Sequence, residues 1–318
     1  MRCSRSATAR QVARLSVADL TLAVIIVTFN TRGLVLECLN SVREDAIKTG
    51  ESFRVIVVDN ASRDRTATAI RTLFPSVHLI ENSANLGPAR AFNQGLAASA
   101  EAKYVLLMNS DIKVLPGTLG PMLDYLDRHS HIAGVSVRQV NSDGTARKFR
   151  KSLGMNLWPP QFDRILPVTL FGTTFHMGRR SMFNEDQIGM FDEYYYFFHE
   201  DLDWSIRAYR RGLMFQYLPE LGVVHHGARG RVQNRGAILG EFYRANVYLQ
   251  AKLYGRFSAR LVYLVQTAEL LGILAFLRLA GRQDSIDAAT YRSAFEKQQQ
   301  LADSLRLMKH ARSAMLGR

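Results

Sequence analysis

The sequence predicts an α/β protein: a mainly parallel sheet flanked by helices, extended by a helical C-terminal region. Three observations carry that prediction. Short apolar, β-branched runs alternate with helix-like stretches up to Met108. The runs are apolar almost throughout, as strands covered on both faces are. Most of them end in a cluster of polar residues, where an open α/β sheet places its ligand crevice.

The elements follow in order. Ala23 to Phe29 (AVIIVTF) is the first strand, and Gly33 to Ala46 the first helix, with Leu34, Leu36, Cys38, Leu39 and Val42 as apolar positions. Arg54 to Val58 is the second strand, Thr66 to Phe74 a short helix, and Val77 to Ile80 the third strand. Pro88 to Ala100 is a helix and Tyr104 to Met108 the fourth strand. Such alternation implies right-handed crossovers between parallel strands. Further on, Arg147 to Lys151 and Trp158-Pro159-Pro160 read as loop, and residues 168–178 as strand-like around Gly172. Asp201 to Arg211 is a helix closed by Gly212, and Met214 to Leu218 and Gly222 to Val224 are two short strands. The chain divides into a basic, disordered tail (1–20), one α/β domain (21–235) and a basic, partly apolar helical region (236–318).

Composition bounds the function. The 318 residues are 47% hydrophobic and 22% charged, which suits a globular chain. A net charge of +13 favours anionic partners. Cys3 and Cys38 make no disulfide framework and lack zinc-ligand spacing, so a reducing compartment fits. The tail carries Arg2, Arg5, Arg10 and Arg14 but no apolar core of a secretory signal. Residues 261–280 are long and apolar enough to approach a membrane span. Gln266, Glu269 and Arg278 interrupt them, which favours an interfacial or partly buried helix. From Arg244 onward there are 12 Lys and Arg against 5 Asp and Glu, a net of +7 that fits an anionic membrane surface. Packing on the α/β domain or in a dimer would also use such a helix.

Five constellations can carry chemistry, each with a structural alternative. Asn109-Ser110-Asp111 follows a strand, and a carboxylate there can hold a hard divalent cation against a diphosphate; it can equally end a turn. Asp59, in Asp59-Asn60-Ala61-Ser62, can accept from a pyrimidine imide or a ribose, or close an Asx-turn. In Asn85-Leu86-Gly87-Pro88-Ala89-Arg90-Ala91-Phe92-Asn93, Gly87 permits a tight helix entry and Arg90 or Asn93 can reach phosphate or sugar. Glu200 and Asp201 open a helix behind a dense aromatic run; one can deprotonate a hydroxyl, or both can simply complement the helix dipole. His225, after an apolar strand, can ligate a metal or fill the core, and the Arg229-Gly230-Arg231 loop can close over a diphosphate or sit in solvent. There is no phosphate-binding Gly-x-x-x-x-Gly-Lys loop and no Gly-x-Ser-x-Gly turn.

Their order is more specific than any one of them. VIIVTFN, VVDNAS, NLGPARAFNQG, LLMNSD, GMFDEYYYFFHEDLDWSIR and VVHHG, over residues 22–230, resemble the inverting family 2 glycosyltransferases, and within them the rhamnosyltransferase-like enzymes of bacterial surface-polysaccharide assembly. The resemblance implies a GT-A fold, a Rossmann-like nucleotide-binding sheet continuous with an acceptor-binding half. It implies a nucleoside-diphosphate sugar donor, a divalent cation (Mn²⁺ or Mg²⁺) and a glycan or lipid-linked glycan acceptor, at the cytoplasmic face of a membrane. On this chain it puts Thr28 and Asn30 in the nucleotide pocket and Asp59 at the base or ribose. Asp111 and His225 become metal ligands, with His226 as rival, Asp201 the general base, and Glu200 its orienter or an acceptor contact. Asn109 stands where the family's motif has its first Asp; Pro88 replaces an aromatic, and His176-Met177-Gly178 falls in a segment usually more apolar.

Nucleic-acid binding is disfavoured, because basic residues gather at the two ends while the aromatics lie beside acids. A nucleotidyltransferase would want a Gly-rich basic loop where VTFNTRG stands. An inactive scaffold of the same fold is opposed by the presence of Asp111, Asp201 and His225.

Overall fold

The computed structural model describes residues 20–145, 166–168, 172–227 and 235–307. Arg147–Lys151, Trp158–Pro160, Arg229–Arg231 and all but one residue of the expected N-terminal tail lie outside them. The elements run β1 (Leu22–Thr28), α1 (Arg32–Thr49), β2 (Phe53–Asp59), α2 (Thr66–Leu73), β3 (His78–Glu81), α3 (Pro88–Ala97), β4 (Tyr104–Asn109), β5 (Ile112–Val114), α4 (Leu119–Arg128) and β6 (Ile132–Val140). β7 (Leu166–Val168), β8 (Phe175–Arg179), α5 (Glu200–Arg210) and β9 (Met214–His225) follow, then α6 (Arg235–Tyr254), α7 (Arg256–Leu279) and α8 (Ile286–Leu307).

One nine-stranded sheet runs β3-β2-β1-β4-β8-β6-β9-β5, with β7 beside β9. β1, β2, β3 and β4 are mutually parallel, as their near-continuous apolar runs require. β8 is antiparallel to both β4 and β6, and β9 is parallel to β6 but antiparallel to β5. The two faces alternate by residue. Leu22, Val24 and Ile26 of β1 join Leu106 and Met108 in a core under α1 and α4. Ala23 and Ile25 join Val105 and Leu107 in a second core with Phe92 of α3 and Trp204 of α5. Successive strand residues point to opposite faces, so both layers are built from the same runs.

Two expectations change. The strand around Gly172 is two short strands, and Gly172 lies between them. The two short strands near the end of the sheet are one, β9. Its register against β6 jumps between Val137↔Leu218 and Arg138↔Gly222, so Pro219-Glu220-Leu221 is a bulge in a continuous strand. Pro219 lacks the N–H a regular ladder would use, and its sequence signature is that of a break.

The C-terminal helices form a layer of their own. α6 and α8 approach closely where Gly236 and Gly240 face Ser293 and Lys297; a Cβ on Gly240 would lie 2.8 Å from that of Lys297. Tyr243, Leu270 and Ala294 form a small core shared by α6, α7 and α8.

Candidate functional site

β1 is the switch point of the sheet: β2 and β3 extend one way from it, β4 and the rest the other. A cavity of about 560 Å³ opens there, outside the carboxyl ends of β1 and β4, within the range of small-molecule sites. Of the residues singled out from sequence, Thr28, Asn85, Asn109, Asp111, Glu200, Asp201 and His225 line it.

The floor is a hydroxyl relay. Thr28 Oγ1 lies 2.8 Å from Thr31 Oγ1, which lies 2.8 Å from Ser110 Oγ. Asp111 and His225 meet at one side, with Asp111 Oδ2 3.2 Å from His225 Nε2. His225 Nδ1 is 3.1 Å from Gln139 Oε1. An N–H at Nδ1 donating to that oxygen leaves the Nε2 lone pair facing the carboxylate, an orientation that suits a cation held between the two. Among the described residues no three His, Cys, Asp or Glu side chains form a closed metal cage. A two-ligand site open to phosphate oxygens is the form a Mg²⁺-like ion takes on a diphosphate substrate. His226 turns elsewhere: its Nδ1 meets Ser142 Oγ at 2.9 Å and its Nε2 meets Glu37 at 3.3 Å.

The opposite side is the start of α5. Phe198 and His199 both hold left-handed φ angles, 68° and 67°, an uncommon pair of non-glycine residues that sets the helix entry. Glu200 is buried, and Thr173 Oγ1 lies 3.5 Å from its Oε1. Asp201 Oδ1 accepts from the Leu202 N–H at 2.8 Å, and the Thr173 backbone also donates to the carboxylate. Burial nonetheless holds the Asp201 pKa above the ordinary aspartate value. Behind it lies Gly172, whose Cβ would stand 3.5 Å from Asp201 Oδ2 and 3.3 Å from His176 Cε1. Burial pushes the His176 imidazole down to about 3, so it is neutral wherever the site works.

The remaining sequence candidates lie around the cleft rather than in its lining. Asp59 accepts from the Ser62 N–H and hydroxyl, closing a turn, and burial raises its pKa. Asn30 holds that same turn: its N–H donates to Ser62 Oγ and its Oδ1 accepts from the Arg63 N–H. Asn93 brackets Phe191, donating to its carbonyl at 2.9 Å and accepting from its N–H at 3.0 Å, and Arg90 pairs with Glu193 at 3.2 Å. Arg229 lies outside the described residues. Residues not singled out from sequence complete the wall. Asn60 donates to the Gly87 carbonyl at 3.2 Å and accepts from the Leu86 N–H, fixing the loop before α3. Tyr196 lines the cleft, as do Glu241 of α6 and Lys297 of α8, whose Nζ and Oε1 are 2.7 Å apart. Asn60 was visible as the partner of Asp59 at a strand end. Glu241 and Lys297 carry no motif.

Gly87 is the pivot of the loop. Its φ of 81° with ψ of 166° is a backbone region open to glycine, and an added Cβ would lie 2.2 Å from the Tyr196 carbonyl oxygen. Gly87→Ala is therefore expected to cost about 2–4 kcal/mol in urea unfolding, from backbone strain plus steric overlap, and to open the cleft. A loss below about 0.5 kcal/mol would show that the loop is free to move away from Tyr196.

The Asp111–His225 pair and the Asp201 carboxylate thus meet in one cleft at the switch point of the sheet. Residues 23–187, just over half of the chain, match the sequence profile of glycosyl transferase family 2, and the chain belongs to that family. It is 25% identical over 232 residues to the N-acetylglucosaminyl-diphospho-decaprenol L-rhamnosyltransferase of Mycobacterium tuberculosis, covering 63% of this chain and 75% of that one. It is 30% identical over 135 residues to the poly(ribitol-phosphate) beta-N-acetylglucosaminyltransferase TarS of Staphylococcus aureus, covering 41% of this chain and 23% of that one. Among solved structures, S. aureus TarS 1–349 superposes with a TM-score of 0.55 at 20% identity, over 87% of this chain and 80% of that one. GalNAc-T7 with UDP, GalNAc and Mn²⁺ superposes with a TM-score of 0.54 at 14% identity, over 74% of this chain and 50% of that one. These structural likenesses show the fold, which is GT-A.

Proposed function

We propose that this glycosyltransferase moves a sugar, rhamnose being the first candidate, from a nucleoside diphosphate to a hydroxyl of a glycan or lipid-linked glycan, with inversion at the anomeric carbon. The single observation that carries the reading is geometric: the Asp111–His225 pair and the half-buried Asp201 line one cleft at the switch point of a GT-A sheet. The rhamnosyl donor and the polyprenyl-diphosphate acceptor come from the name of the mycobacterial relative. A soluble nucleotide sugar and a lipid-linked acceptor meet at the cytoplasmic face of a membrane, which is where we place the reaction. Residues 21–235 form the catalytic unit in this reading, and 236–318 the helical region that closes the acceptor side.

Thr28, Asn109 and Ser110 lie where the nucleotide enters, and Asn60 holds the loop that carries Asn85 and Gly87 over it. Asp111 and His225 would hold the divalent cation, which supplies positive charge against the departing diphosphate. Asp201 takes the proton of the attacking hydroxyl; its raised pKa makes it a stronger base than a solvated aspartate. Glu200, buried beside Thr173, sets the helix start that aims Asp201. Tyr196, Glu241 and Lys297 border the space left for the acceptor.

The test is donor binding and hydrolysis across UDP-, dTDP- and GDP-sugars with Mn²⁺, Mg²⁺ or EDTA. One donor is expected to be turned over only with metal, and Asp111→Ala to lose about 100-fold or more of that rate. Failure of every nucleotide sugar to bind under any metal condition would sink the reading.

A further inference from the structure

Among the described residues helix α7 carries more of the exposed large hydrophobic side chains than any other element. It is 24 residues long, and only 17% of its most apolar window is buried. Phe257, Leu261, Leu264, Val265, Leu271, Phe276 and Leu279 are all exposed, Phe257 by 83% and Leu279 by 89%. At about 100° per residue these positions fall on one broad face running the length of the helix.

Of the polar residues that interrupt the run in sequence, Gln266 faces inward, while Glu269 and Arg278 are exposed. Gln266 is buried and accepts from Gln298 of α8, and Glu269 is hydrogen-bonded to Tyr243 of α6. Ala259, Leu270 and Leu277 complete the inward face. The helix is therefore one-sided. At about 1.5 Å per residue it could reach across a bilayer, but a span would have to carry α8, with Asp287, Arg292, Glu296 and Lys297, into hydrocarbon. A one-sided apolar helix backed by polar helices suits the interface plane instead.

Charge selects the occupant. Arg256 and Arg260 stand exposed at one end of the stripe and Arg278 at the other, and α7 holds a single acid, Glu269, which is exposed but hydrogen-bonded to Tyr243. A second copy docked on this face, parallel or antiparallel, would set arginine against arginine at both ends. An anionic lipid surface meets both the apolar stripe and its basic ends.

We propose that α7 is an in-plane membrane anchor, its Phe257–Leu279 stripe seated at the acyl boundary of an anionic leaflet. α7 packs on α6 and α8, and those two helices contribute Ala237, Ile238, Glu241 and Lys297 to the cleft wall. Docking through α7 thus brings the acceptor side of the cleft beside the lipid surface. This purpose rests on the lipid-linked acceptor proposed above; the docking itself does not.

The experiment is flotation of the full-length protein with phosphatidylcholine vesicles, with or without phosphatidylglycerol, at low and high salt, alongside the Leu264→Glu/Phe276→Glu variant and gel filtration of both. The expected result is binding to phosphatidylglycerol vesicles that is about ten-fold weaker without the anionic lipid, weaker at high salt, and lost by about ten-fold or more in the variant. The variant's melting temperature and donor hydrolysis should be unchanged, since neither residue touches the cleft or a buried core. The proposal is overturned if the wild type does not float, if the variant floats as well as the wild type, or if bound protein resists extraction at high salt and alkaline pH as a spanning helix would. It is equally overturned if the wild type is a dimer that the variant splits while neither floats. Vesicle binding needs no donor or turnover, so its failure is separable from failure of the transferase reading.

Discussion

Asp201→Asn is expected to lower kcat by about 10²- to 10⁴-fold, the range over which a positioned general base contributes. Donor affinity should stay within about two-fold, because the amide keeps the shape and loses only the proton acceptor. The same substitution is expected to stabilise the fold near neutral pH. Burial raises the Asp201 pKa above its value in an unfolded chain, so the native state binds that proton more tightly. Below the unfolded value both states are protonated and no cost arises. As pH rises through the unfolded and then the native value, stability is lost, and above the native value the full cost of burying a carboxylate remains. The variant should therefore melt higher than the wild type at pH 7, with the gap closing in acid. The acid limb of the wild-type kcat/KM profile should lie above the ordinary aspartate range for the same reason. A variant that retains turnover, or melts lower at pH 7, would remove Asp201 from the role of base.

What the sequence disclosed was set by strand ends. Thr28, Asn109 and Asp111 lie at the ends of apolar parallel runs, so their convergence was foreseeable from the crossover rule, while His225 was placed with them only by the family resemblance. Asp201 and Glu200 follow from the helix start after the aromatic run. Side-chain direction on helices was not readable. Arg90 and Asn93 sit one turn apart on α3, and both turn to the Phe191–Glu193 segment, where Asn93 does the work of a backbone partner. A buried asparagine looks the same in sequence whether its partner is a ligand or a carbonyl. Glu241 and Lys297 are separated by 55 intervening residues and meet only because Gly240 lets α8 lie close on α6. Nor does the sequence reveal that Gln266 turns inward to Gln298, or that the exposed Glu269 is tied to Tyr243; both look like interruptions of an apolar run.

The C-terminal helices are not an appendage to the catalytic unit, and one lysine shows the strength of the join. Lys252 of α6 places its Nζ 2.7 Å from Asp192 Oδ2 and 2.7 Å from Asp203 Oδ1, the latter on the helix that carries Asp201. Asp203 is almost fully buried and also holds Arg207 at 3.0 Å, while the Tyr248 hydroxyl donates to Asp192 at 2.9 Å. Lys252→Met would leave two carboxylates with less positive charge than they need in a poorly solvated site. Removing one partner of a buried ionic cluster costs about 3–5 kcal/mol, so a loss of about 3 kcal/mol in chemical unfolding is expected, the low end because Asp203 keeps Arg207. Most of that is the penalty of stranded charge, so Lys252→Met/Asp192→Asn should recover part of it. Function should fail selectively. In the proposed reading α6 and α8 wall the acceptor side and the sheet holds the donor, so acceptor kcat/KM should fall more than donor binding. If Lys252→Met unfolds within about 0.5 kcal/mol of the wild type, or lowers donor and acceptor use equally, the cluster is not what ties α6 to the catalytic helix.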